Sequence, residues 1–107
     1  MSTGESAELQ ELRARIAELL ALGLETEIEP FPITEKEFAE ILTRLRALEP
    51  ENLEAKLIIG GFKDYPHGPD NWRCADCIYY LARRKWCDLP ELAVPVEADW
   101  YCRLWRM

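Results

Sequence analysis

Leucine and isoleucine recur at Leu9, Leu12, Ile16 and Leu19 between residues 6 and 23, at spacings of 3, 4 and 3, with Ala14, Ala17 and Ala21 among them. That period puts the apolar side chains on one narrow seam of a helix, and alanine favours the helical backbone between them. Gly23 is the expected stop, because glycine accepts the left-handed conformation that closes a helix. A seam of barely two heptads fits either of two uses, packing on the chain's own core or pairing with another chain as a coiled coil. A second helix is predicted from Thr34 to Leu48, with capping-box spacing at Thr34 and Glu37 and one apolar face of Phe38, Ile41, Leu42, Leu45 and Leu48. Pro50 ends it, and a short third helix from Glu51 to Ile59 closes at Gly60-Gly61. Between the first two helices Pro30 and Pro32 remove amide donors and predict an extended connector or edge strand.

The pattern changes at residue 64. Asp64-Tyr-Pro-His-Gly-Pro-Asp-Asn71 collects turn-forming residues and predicts an irregular loop. Beyond it no long periodic segment recurs, and at most a short β-hairpin near Val94 to Trp100 is expected. The fold class that follows is a small α-rich protein: an acidic helical arm of two or three helices over residues 1–62, then a loop-rich module with little β structure over residues 63–107.

Charge sharpens that division. Residues 1–62 hold 13 Asp and Glu against 6 Lys and Arg, and residues 63–107 hold 7 against 7, so all the net charge of −7 resides in the N-terminal part. No basic stripe suits a nucleic-acid backbone; Arg83-Arg84-Lys85 is the nearest approach, and such a run is more often a solvated face than a dock for an acidic partner. No apolar run nears the roughly 20 residues a membrane-spanning helix requires. Met-Ser-Thr-Gly-Glu-Ser offers neither a basic n-region nor an apolar h-region, so no export signal is expected and a cytoplasmic or virion location follows. A single histidine, no nucleophile with a base at recognisable spacing and no phosphate loop argue against an enzyme.

The chemistry is concentrated in four cysteines, Cys74-x2-Cys77-x9-Cys87-x14-Cys102. In a reducing compartment such a cluster suits metal ligation better than disulfides. A zinc ribbon offers two Cys-x2-Cys knuckles around one ion; here one knuckle is joined by two solitary cysteines, which suits a larger object held at four corners, such as a [4Fe-4S] cube with one thiolate on each iron. Seven of the 11 aromatic residues, Trp72, Tyr79, Tyr80, Trp86, Trp100, Tyr101 and Trp105, lie within three positions of a cysteine. An iron–sulfur cluster benefits from such a shell, because dryness and burial protect it and set its potential. Structural zinc, and disulfides or free thiols, remain the alternatives. His67 is a possible substitute ligand but reads first as a loop histidine, and Asp76, between the first two ligands, is expected to be exposed.

Cys74-Ala-Asp-Cys77-Ile-Tyr-Tyr80, then Cys87, then Val96-Glu-Ala-Asp-Trp-Tyr-Cys102-Arg-Leu-Trp105 resembles the high-potential iron–sulfur proteins over residues 72–107, about a third of the chain. In that family Cys-x2-Cys is followed by paired aromatics, and the last ligand sits in an aliphatic-x3-Gly-(Trp/Tyr)-Cys-x2-aromatic motif. Val96, Tyr101, Cys102 and Trp105 take the matching places, and Trp100 stands where glycine is usual. The resemblance implies a one-electron carrier with Cys74, Cys77, Cys87 and Cys102 as ligands and Tyr79, Tyr80, Trp100, Tyr101 and Trp105 as the aromatic shell, meeting a redox partner. Similar modules also end small bacteriophage proteins. That likeness implies a second possibility, a structural subunit of a larger assembly in which the cluster, or zinc, staples the module while residues 1–62 bind protein partners.

Overall fold

The computed structural model describes residues 7–107, so Ser6 of the expected first helix lies outside the described residues. Helix α1 runs Ala7–Ala21, α2 Glu35–Arg46 and α3 Leu53–Gly60. The α1 seam turns inward: Ile16 and Leu20 are buried together with Arg13, and Leu12, Ala17 and Leu19 pack partly buried beside them. Gly23 closes this helix at φ +89°, with the Leu24 amide donating back to the Leu19 carbonyl. Helix α2 begins with the expected capping box: the Glu37 amide donates to Thr34 Oγ1, and the Thr34 amide donates to the Glu37 carboxylate. Asn52 caps α3, and Gly61 ends it at φ +67°.

The connector from Leu24 to Ile33 contains no strand. It lies across α3 and its exit, where the Glu27 amide donates to the Ile58 carbonyl and Thr26 Oγ1 to the Phe62 carbonyl. Arg103, 2% exposed, ties this connector to the C-terminal segment by donating to the Ile59 and Pro30 carbonyls and to the Glu27 carboxylate.

Three two-residue strands, β1 (Tyr80–Leu81), β2 (Trp86–Cys87) and β3 (Val94–Pro95), make one antiparallel sheet in that order. The hairpin therefore joins Tyr80 to Cys87 rather than spanning Val94 to Trp100. Its loop, Ala82 to Lys85, closes on Lys85 at φ +48°, and the Val96 amide donates to the Lys85 carbonyl to carry the chain past β2. After β3 the backbone turns at Trp100, whose amide donates to the Glu97 carbonyl. Trp100 is not among the residues at positive φ, so a side chain in place of glycine costs nothing there.

The division near residue 62 does not divide the core. Ile16 and Leu20 of α1, Ile41 and Leu45 of α2, Leu57 of α3 and Phe62 belong to one buried cluster with Cys74, Leu89, Leu92, Val94, Val96, Trp100, Cys102 and Leu104. A chain of this length has too little apolar surface for two separate cores, so the helices cover the cysteine module instead of standing off as an arm.

Gly23 and Gly61 share a left-handed backbone but differ in surroundings. A Cβ on Gly23 meets nothing within 4 Å, whereas one on Gly61 would lie 2.5 Å from the Glu27 carbonyl oxygen and 2.9 Å from Arg103 Cγ. Gly23→Ala should therefore cost only the backbone strain of about 1 kcal/mol. Gly61→Ala should cost about 3 kcal/mol, because the connector and Arg103 must also shift. Urea denaturation of the two variants checks the ranking; equal midpoints would contradict it.

Candidate metal centre

Each cysteine is aimed by its local backbone. Cys74–Asp76 forms a single 3-10 turn in which the Cys77 amide donates to the Cys74 carbonyl. Residues three apart eclipse in such a turn, which brings the two side chains to one side. Cys87 sits in β2 directly opposite Tyr80, and opposed residues of an antiparallel pair share a face. Cys102 opens a turn, closed by the Trp105 amide donating to the Cys102 carbonyl, that brings Cys102, Leu104 and Trp105 to one side.

All four thiols line one small cavity. The rest of its wall is Phe62, Tyr79, Tyr80, Leu89, Val96, Leu104 and Trp105. No disulfide joins the cysteines; Cys74 and Cys102 are buried, Cys77 and Cys87 half-buried. Among the described residues no group of three or more His, Cys, Asp or Glu side chains is drawn together so as to hold a metal ion.

Of the aromatic residues expected to surround the cysteines, Tyr79, Tyr80 and Trp105 line the cavity. Trp105 is held there by its indole N–H, which donates to the Arg73 carbonyl at 2.8 Å, and by a parallel stack on Trp72 with centroids 4.5 Å apart. Trp100 and Tyr101 are buried but outside the wall. The Trp100 carbonyl accepts from the Cys74 amide at 2.7 Å, so its backbone positions Cys74. Tyr101 packs against His67 at 5.2 Å and pairs with Lys63 through both backbone hydrogen bonds. His67 accordingly lies outside the cavity wall, and Asp76 is exposed and paired with Arg73 at 3.0 Å. Arg83, Arg84 and Lys85 occupy the exposed hairpin tip, with Arg84 over the Trp86 ring. Leu104 reaches the wall from the turn that follows Cys102. Phe62, directly after the Gly60-Gly61 stop, carries no local signal of its place.

Burial dominates the electrostatics of the thiols. It pushes Cys87 up to about 11 and Cys74 and Cys102 higher still, with the neighbouring cysteines adding to the effect by mutual repulsion of their thiolates. Backbone hydrogen bonds from Leu89 to Cys87 and from Leu104 to Cys102 act in the opposite sense, favouring the thiolate. Burial likewise raises Tyr101 to about 12, followed by repulsion from Cys102. A soft cation entering this cavity must displace protons, and the amides aimed at two sulfurs then stabilise the thiolates.

No family model, curated protein or solved structure matches this chain.

A thiol raised on folding favours the folded state while it stays protonated and opposes it once ionised. The metal-free chain should therefore hold its urea midpoint up to about pH 9 and lose it progressively as pH rises through about 11. Cys87→Ser should flatten part of that decline. A wild-type midpoint that does not fall across this window would contradict the burial described.

Proposed function

We propose that the chain binds one [4Fe-4S] cluster through Cys74, Cys77, Cys87 and Cys102 and serves as a one-electron carrier. The observation that carries this reading is the enclosure of four thiols, and no other metal-binding side chain, in the wall of a single cavity otherwise apolar and aromatic. The donor set suits the group: thiolate is the ligand of iron–sulfur clusters, and each iron of the cube takes one. The sequence pattern supports a cube over zinc: one Cys-x2-Cys knuckle, Cys74 with Cys77, joined by the solitary Cys87 and Cys102, suits a larger object, whereas a single zinc ion suits two knuckles.

When bound, the cluster supplies a reversible one-electron couple between its 3+ and 2+ cores. The chain's own residues do the rest. Phe62, Leu89, Val96, Leu104 and Trp105 keep water from the site, and Tyr79 and Tyr80 close it with half-buried rings. The Leu89 and Leu104 amides place positive dipole ends at two ligand sulfurs, which favours the more reduced state.

A second reading has its own support. The cavity lies within the core that all three helices share, so a rigid group held at four chain positions would also staple a fold with little apolar mass. In that case the protein is a structural subunit, of a virion for example, whose acidic helices meet protein partners and whose cluster does not cycle.

Anaerobic reconstitution with ferrous iron and sulfide should give a brown protein with equal iron and sulfide, and a reversible couple on redox titration. Cys74→Ser or Cys102→Ser should abolish loading, since both thiols are buried in the wall. A stable cluster without a couple in the accessible range would assign the structural role, and a colourless protein holding one zinc would overturn the cluster.

A further inference from the structure

We infer that the hairpin tip Arg83-Arg84-Lys85 is the dock for an acidic patch on the protein that exchanges electrons with the cluster. The inference rests on the carrier reading and names the partner's chemistry and its seat. The base of the hairpin is part of the cavity: Tyr80 of β1 and Cys87 of β2 are directly opposed, and both line the wall. One further pair, Leu81 with Trp86, leads to the loop, so the tip stands one strand pair from a candidate ligand. A partner bound at the tip is therefore held close to the site it serves.

The tip holds its charge in a fixed place. Its three consecutive cations are exposed, and the loop is closed by the Arg84 amide on the Leu81 carbonyl and the Lys85 amide on the Ala82 carbonyl. Arg84 lies over the Trp86 ring at 5.3 Å, so its guanidinium is placed rather than trailing in solvent. Lys85 adopts φ +48°, where glycine or asparagine is at home, and a lysine bears strain there. Its ammonium meets Glu97 at 3.5 Å; among the described residues neither Arg83 nor Arg84 is paired with a carboxylate. Asp88 is exposed at the other end of the hairpin, where its amide donates to the Tyr79 carbonyl. Two guanidinium charges thus stand open on a chain whose net charge is −7. Three cations on one loop are too few for a nucleic-acid backbone, and the acidic helices would repel so dense a polyanion. An acidic protein patch fits, because opposite charge steers the encounter and a small contact lets the partner leave after one electron.

The test on the reconstituted full chain is the salt dependence of its oxidation by hexacyanoferrate(III). One electron passes from the 2+ core to the oxidant, giving the 3+ core and hexacyanoferrate(II), with no bond made or broken and no proton moved. A trianion is repelled by a chain of net charge −7 as a whole, so a merely solvated tip predicts a rate that rises as salt screens the repulsion. Attraction at the tip predicts a rate that falls with salt, and the double variant Arg83→Glu, Arg84→Glu should be about tenfold slower at low salt. The milder Arg83→Gln should fall between the two. A wild-type rate that rises with salt, or variants that match the wild type, would overturn the inference. A second readout needs no electron transfer: polyglutamate added to the isotope-labelled chain should shift the amide resonances of residues 82–86, and the shifts should vanish in the double variant. Shifts that are absent, or that survive the charge reversal, overturn the dock. If the protein shows no reversible couple, the carrier reading fails while polyglutamate still decides whether the tip binds an acidic partner.

Discussion

The structure depends on the clamping of its C-terminal segment. Trp100 to Trp105 is buried without interruption and is gripped by backbone hydrogen bonds from three directions. Lys63 and Tyr101 exchange both bonds, the Cys74 amide reaches the Trp100 carbonyl, and the Arg103 amide reaches the Gly60 carbonyl. An unpaired backbone group at such depth is expensive, so these bonds fix where the segment lies. Cys102, Leu104 and Trp105 reach the cavity from a turn closed by the Trp105 amide on the Cys102 carbonyl.

The helices take their meaning from the same segment. Arg103 joins it to the connector through Glu27, and Gly61 admits that approach because a larger residue would collide with both. Helix α1 lies over β3, and its Arg13 meets Glu97 just beyond the cavity wall. The seam of α1 thus packs on the chain's own core, and the carboxylates of α1 and α2 lie on their exposed faces.

The helices were legible because periodicity and caps are local: Thr34 with Glu37, Gly23 and Gly61 act on their own neighbours. The grouping of the four cysteines was legible from spacing and aromatic density together. The wall was legible only in part. Tyr79, Tyr80 and Trp105 lie near cysteines in sequence and in space, yet Trp100 and Tyr101, equally near in sequence, stand outside the wall. Phe62 reaches the cavity through tertiary packing that no local pattern announces. The hairpin was misplaced because Val94 and Pro95 look like a strand of their own pair, whereas their partner is β2, across the loop that contains Leu89 and Leu92. Arg103 reads as a surface residue in sequence; three acceptors from distant segments make it a buried one.

The central claim is that four thiolates hold one inorganic cube within this cavity. The most direct measurement is the mass of the intact, non-denatured chain purified without oxygen. The account predicts an increment of four irons and four sulfides on a single polypeptide, lost when Cys102 is replaced by serine. An increment of one zinc, or a polypeptide lighter by the hydrogens of two disulfides, would contradict it.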